Sequence, residues 1–129
     1  MQKEPELEKL LIKETSLSTY IEFDNETKIL VMRGHTVPAN AHTFFIPIIK
    51  WTEEYLKSNP IKTTLNISFE YLHSSAGKQV FELIRLLNES GHSITVNWYY
   101  EEDDDDMKQL GMDFSSVLGM QFNFATFEN

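Results

Sequence analysis

Strand-like and helix-like segments alternate between residues 64 and 100, and this alternation limits the possible folds more than any other feature of the chain. Residues 65–71 alternate apolar and polar side chains, which is typical of a half-buried strand, and residues 93–100 form a second strand-like run. Between the two runs, apolar residues recur at helical spacing: Val80, Leu83, Ile84 and Leu87. Because strands joined by amphipathic helices form parallel sheets with right-handed crossovers, we expect a parallel sheet core.

The flanking sequence extends this core in both directions. Residues 19–24 and 28–33 predict an N-terminal hairpin, which makes the sheet mixed. Residues 102–107 are expected to open a further helix, and residues 120–127 to form a last strand. The predicted fold is therefore an α/β single domain, a mixed sheet with a parallel βαβαβ core and an N-terminal hairpin.

Another helix is predicted over residues 40–56, with Asn40 as its N-cap and Asn59-Pro60 as its stop signal. Pro47 interrupts this pattern, because proline lacks an N–H and clashes with the preceding helical turn. We expect either a kink at Pro47 or a helix that begins near Phe45.

Composition favours one folded domain over residues 1–129, with residues 1–9 flexible. Hydrophobic residues make up 41% of the 129 residues and aromatic residues 12%, which is too apolar for a disordered chain. The sequence has no signal peptide and no apolar segment of the roughly 20 residues that a membrane span needs, so we expect a cytoplasmic protein. The absence of cysteine excludes disulfides, thiolate catalysis and cysteine-ligated zinc.

The charge balance argues against nucleic acids and membranes as partners. The formal net charge is −9, and six of the 20 acidic residues lie in the run from Glu101 to Asp106. Carboxylates bind Mg²⁺ and Ca²⁺, but this run lacks the spacing of an EF-hand loop. A solvated acidic helix start is the favoured interpretation, and we predict no metal ligands and no cofactor.

Two adjacent serines, Ser74 and Ser75, lie where the strand that ends at Tyr71 passes into a helix predicted from Ser75 to Asn88. A helix start offers about four unpaired backbone N–H groups and the positive end of the helix dipole, so it favours a phosphate. The simpler interpretation is that one serine only caps the helix.

Neighbouring residues give this junction two further interpretations. Gly77-Lys78 does not complete a P-loop, but Lys78 lies in the first helical turn, where it is a plausible companion of a phosphate. His73 precedes Ser74, yet no G-x-S-x-G elbow is present, and adjacent residues of a strand point to opposite faces. A serine hydrolase is therefore the less favoured alternative.

Aromatic residues adjoin the acidic run. Because Trp98-Tyr99-Tyr100 ends a strand, we expect at least one ring to face outward and to form an aromatic, anionic surface that suits a basic protein partner. The residues of this expected surface are Tyr99, Tyr100, Asp105 and Asp106.

The chain resembles the SiaC family of bacterial regulatory phosphoproteins over nearly its whole length. The resemblance is carried by the segments Arg33 to Ala41, Phe44 to Ile48 with Trp51, Tyr71 to Lys78, Val96 to Tyr100, and Asp105-Asp106-Met107. It implies a fold similar to that of the anti-sigma-factor antagonists (STAS-like proteins). The D-S-S-G junction of those proteins is partly matched here by His73-Ser74-Ser75-Ala76.

The resemblance also implies a function. In the family a protein kinase phosphorylates a hydroxyl at this turn, a protein phosphatase removes the phosphate, and the unmodified form activates a diguanylate cyclase in c-di-GMP and biofilm control. By position the acceptor is Ser74, with Ser75 as the second choice, supported by His73, Gly77 and Lys78. The family more often has threonine at the acceptor position. The alternative partner is an anti-sigma factor in a partner-switching stress pathway.

Overall fold

The computed structural model describes residues 7–15, 19–36 and 41–127, and within these ranges the chain forms six strands and three helices. The strands are β1 (Leu10–Ile12), β2 (Tyr20–Asp24), β3 (Ile29–His35), β4 (Lys62–Tyr71), β5 (Ser93–Glu101) and β6 (Asn123–Phe127). The helices are α1 (Ala41–Lys57), α2 (Ser74–Glu89) and α3 (Asp105–Leu118).

All six strands form one sheet in sequential order. The pairs β1/β2 and β2/β3 are antiparallel, and β3/β4, β4/β5 and β5/β6 are parallel, so the predicted mixed sheet with an N-terminal hairpin is confirmed. The short strand β1, which extends the hairpin, was not predicted from the sequence. Because parallel crossovers are right-handed, strands in sequential order place all three helices on one face of the sheet.

Burial along the strands shows this one-sided arrangement. In β4 the alternate residues Thr63, Leu65, Ile67 and Phe69 are buried, whereas the residues between them are only half-buried. On the uncovered face the amide of Asn97 donates to Oδ1 of Asn66 at 2.8 Å, and the amide of Asn123 donates to Oδ1 of Asn97 at 3.0 Å. The core lies between the sheet and the helices, and the largest fully buried side chains include Trp98, Tyr55 and Phe23.

Helix α1 runs through Pro47, so the expected start near Phe45 is wrong. The missing N–H of Pro47 removes one helical hydrogen bond, to the carbonyl of Thr43. Thr43 is exposed, so water can satisfy its carbonyl. The apolar face around Ile48 and Tyr55 remains in register with the core, and the expected cap Asn40 lies outside the described residues.

Two other boundaries differ from the sequence analysis for local reasons. Helix α3 begins at Asp105 because Asp104 is its N-cap, with Oδ1 accepting from the backbone N–H of Met107 at 3.0 Å. The last strand begins at Asn123 because Gly119 adopts a left-handed conformation with φ of 65°, and Met120 N donates to the carbonyl of Ser115.

The segment over 1–9, which we expect to be flexible, lies partly outside the described residues. Leu7 packs against the core, the carbonyl of Glu8 accepts from the indole N–H of Trp51 at 2.6 Å, and Lys9 pairs with Glu22 at 3.3 Å. Among the described helices, none has both the length and the apolar character of a transmembrane segment.

Candidate functional site

The junction between β4 and α2 is capped by a histidine. His73 has extended backbone angles, φ of −66° and ψ of 147°, and its Nδ1 accepts from the backbone N–H of Ser75 at 3.2 Å. Its carbonyl accepts from the N–H of Gly77 at 2.8 Å, which closes the first turn of α2. The helix therefore begins at Ser74, one residue earlier than predicted, and the interpretation of a serine as the N-cap is wrong.

A buried threonine attaches this junction to the neighbouring strand. Oγ1 of Thr36 accepts from the backbone N–H of His73 at 2.7 Å, and Thr36 N donates to the carbonyl of Tyr71 at 3.0 Å. These two bonds tie the end of β4 to the residue that follows β3. Thr36 was not identified from the sequence, because it lies 37 residues from His73.

The two candidate serines lie in different surroundings. Ser74 is exposed as the first residue of α2. Ser75 is half-buried, and its Oγ lies 2.9 Å from Nδ1 of His73. The hydroxyl beside the imidazole is therefore that of Ser75, not the exposed one, and it belongs to the cap of the helix.

Gly77 and Lys78 lie on the same turn of α2 but differ in exposure. Gly77 is buried, and a Cβ atom added there would meet only Leu72, at 3.9 Å. Lys78 is exposed and lies four residues after Ser74, so both side chains project from the same side of the helix. A phosphate on Ser74 would thus lie near the Lys78 ammonium group as well as the helix N-terminus.

An apolar groove of about 360 Å³ opens beside Ser74, between the first half of α2 and the middle of α3. We call it the α2–α3 groove. Its walls are formed by Leu72, Phe81, Leu110 and Phe114, its floor includes Gly77, and Ser74, Lys78 and Glu82 lie along its α2 side. The groove was not predicted, because helix spacing identifies apolar faces but not how far two helices separate.

The expected aromatic and acidic surface is only partly assembled. Tyr100 packs against the core side, with the Lys108 ammonium 5.9 Å from its ring centre, whereas Tyr99 pairs with Ala125 and points to the opposite face. Asp105 and Asp106 are exposed in the first turn of α3. Because β4 and β5 are parallel, this turn and Ser74 lie at the same edge of the sheet.

No group of three or more acidic, histidine or cysteine side chains within the described ranges is arranged to hold a metal ion. The acidic side chains at the start of α3 instead stabilise that helix. Asp104 caps the helix, and Asp105 and Asp106 carry negative charge at its positive end.

Comparison with known proteins identifies relatives over most of the chain. Residues 12–127 match the model of the SiaC family regulatory phosphoproteins. An uncharacterized protein of Pseudomonas aeruginosa (strain UCBPP-PA14) is 25% identical over 111 residues, which are 84% of this chain and 88% of that protein.

Solved structures share the fold. SiaC of Pseudomonas aeruginosa superposes with a TM-score of 0.84 at 24% identity, covering 93% of this chain and 99% of that chain. A crystal structure of the diguanylate cyclase SiaD in complex with its activator SiaC, from the same species, matches with a TM-score of 0.84 at 24% identity. This match covers 92% of this chain and 99% of that chain. These matches confirm the mixed α/β single domain, and the likeness to anti-sigma-factor antagonists stays a prediction.

Proposed function

The chain belongs to the SiaC family of regulatory phosphoproteins, and on this premise we propose that Ser74 is phosphorylated reversibly and that the unmodified form binds and activates a diguanylate cyclase. A protein kinase and a protein phosphatase would set the phosphorylated fraction. The observation that carries the proposal is the difference between the two serines, since Ser74 is exposed while the Ser75 hydroxyl is held at the helix cap.

Accessibility supports Ser74 as the acceptor. A kinase must bring the γ-phosphate of ATP in line with a free hydroxyl, and this requires a side chain that another protein can surround. Modification of Ser75 would first require that its contact with His73 be broken, whereas Ser74 needs no such rearrangement. This role would place the protein in the cytoplasm, where kinases have access to ATP.

The site can hold a phosphate without unfolding. A phosphoserine carries about −1.5 to −2 charges near neutral pH, and at Ser74 it would face the N-terminus of α2 and the Lys78 ammonium group. The same charge would lie at the sheet edge that already holds Asp105 and Asp106, so this edge would become strongly anionic. We infer that phosphorylation changes the recognition surface while the fold persists.

The cyclase assignment comes from the relatives. In one solved complex SiaC is the activator of the diguanylate cyclase SiaD, and the fold of that activator is the fold described above. We propose that this chain likewise acts by binding, and that the catalytic groups belong to the partner.

The test is mass spectrometry of the protein purified from its native cells, followed by identification of the proteins that copurify with it. We expect phosphate on Ser74, lost in Ser74→Ala and retained in the matched variant Ser75→Ala, and we expect a diguanylate cyclase among the copurifying proteins. Phosphate on neither serine would refute the modification. A sigma-factor regulator in place of a cyclase would favour the anti-sigma-factor alternative.

A further inference from the structure

Helices α2 and α3 contact each other near their middle and at their carboxyl ends. Near their carboxyl ends the Asn88 amide donates to the carbonyl of Leu118 at 3.1 Å, and further forward the rings of Phe81 and Phe114 meet edge to face at 5.2 Å. Both rings line the α2–α3 groove, which extends from them toward Leu72 and Ser74 at the start of α2. The groove therefore opens at the sheet edge that holds Ser74.

The groove has the character of a binding site for an apolar group. Its volume of about 360 Å³ is in the range of ligand pockets, roughly 300–1,000 Å³, and its walls are almost entirely apolar. Gly77 supplies no side chain to fill it. Phe81 and Leu110 are half-buried rather than buried, so their apolar surface is still available to a partner.

Charge at the mouth of the groove selects the kind of partner. Asp106 lies four residues before Leu110 and thus on the same side of α3, with exposed Glu102, Asp103 and Asp105 beside it. On the α2 side, Glu82 is paired with Arg85. The α2 side also carries the exposed Lys78, so the acidic character of the mouth comes from its α3 side, in a chain with a net charge of −9.

We propose that the α2–α3 groove docks an amphipathic segment of the partner protein, with an apolar side chain between Phe81 and Leu110 and with lysine or arginine side chains against Asp106 and its acidic neighbours. The proposal rests on the proposed function in one respect, that a phosphate on Ser74 releases this segment. A second copy of the chain is a poor occupant, because it would bring a second molecule with a net charge of −9 against this acidic surface.

Phosphorylation acts on this groove directly. Ser74 lines the groove, so a phosphate there would place a dianion at the border of an apolar contact. It would also draw the Lys78 side chain, whose methylene groups line the groove, toward the helix start. Both effects oppose the docking of an apolar side chain.

Photo-crosslinking in the native cells tests the proposal. The photoreactive residue p-benzoylphenylalanine replaces Leu110 in the full chain, and the matched control carries it at Met112, an exposed apolar position of α3 that does not line the groove. Because Leu110 is half-buried, a third variant carries it at the exposed Lys78 on the groove rim. The crosslinked partner peptide is sequenced by mass spectrometry.

We expect crosslinks from position 110, from position 78 or from both, to an apolar segment flanked by lysine or arginine, and we expect none from position 112. No crosslink from either groove position, equal yield from position 112, a crosslink to a second copy, or an acidic segment would each overturn the groove assignment. If the captured protein has such a segment but is not a diguanylate cyclase, the groove assignment stands and the proposed function fails.

Discussion

The imidazole Nδ1 of His73 lies 2.9 Å from Oγ of Ser75 and 3.2 Å from its backbone nitrogen. This contact gives the two adjacent serines different surroundings, a difference that the sequence alone does not show. Ser75 is drawn into the helix cap, and Ser74 is left exposed on the first turn of α2. The proposed choice of Ser74 over Ser75 as the acceptor thus depends on the position of the His73 imidazole.

His73→Ala should lower the free energy of unfolding by about 0.5–2 kcal/mol, the usual effect of losing an N-cap side chain. His73→Asn should restore most of it, because asparagine is among the preferred caps. Urea unfolding measures both, and the exposed His42→Ala serves as the control with little expected change. Equal destabilisation by His73→Ala and His73→Asn would contradict the capping role.

Thr36→Val should destabilise the protein by about 1–3 kcal/mol, because the backbone N–H of His73 loses its acceptor on the buried Thr36 while the side-chain shape is retained. Hydrogen exchange should show faster exchange at His73 than in the wild-type protein. Thr64→Val, at a half-buried strand position, is the matched control. Unchanged exchange at His73 would show that Thr36 does not hold the junction.

Gly77→Ala and Gly111→Ala should have opposite effects on stability, although both replace a buried helical glycine. At Gly77 the new methyl meets Leu72 at an ordinary 3.9 Å, so the variant should gain up to about 1 kcal/mol of helix propensity. At Gly111 it would lie 2.6 Å from Nε1 of Trp98, so the variant should lose about 1–3 kcal/mol through overpacking. Thermal unfolding of the two variants measures this difference, and equal effects would contradict the packing described.

Gly77→Ala should also weaken partner binding, because the added methyl projects into the floor of the α2–α3 groove. The expected result is a protein that is more stable and binds less tightly. Calorimetric titration against the copurified cyclase measures the affinity, and Met112→Ala is the control outside the groove. Undiminished affinity in a stabilised Gly77→Ala protein would show that the partner does not reach the groove floor.

The main architecture could be predicted from the sequence because the strand and helix periodicities are local and strong. The strand and helix patterns over residues 64–100 correctly predict β4, α2 and β5. Strand β1 escaped prediction because three residues, Leu10 to Ile12, are too short to show a period. Tyr99 and Tyr100 were grouped as one surface, although the pleat of a strand places them on opposite faces.

The details of the site depend on contacts that no local pattern reports. Serine outranks histidine as an N-cap, so cap preference favoured the wrong residue, and only the backbone turn shows that His73 reaches the N–H of Ser75. Thr36, which follows β3, accepts a hydrogen bond from His73, which follows β4, and the two residues lie 37 positions apart in the chain. The groove depends on how α2 and α3 pack, including the contact between Phe81 and Phe114, and residues so far apart in the chain show no common local pattern.

The most direct test of the account compares the affinity of the copurified diguanylate cyclase for the unmodified protein and for protein with phosphoserine incorporated at position 74. Protein with phosphoserine at Ser93, which is exposed at the opposite edge of the sheet, serves as the control. We predict that phosphate at position 74 weakens binding at least about tenfold, which corresponds to about 1.4 kcal/mol, while phosphate at position 93 leaves it unchanged. Equal affinity of the unmodified protein and the protein phosphorylated at Ser74 would contradict the account.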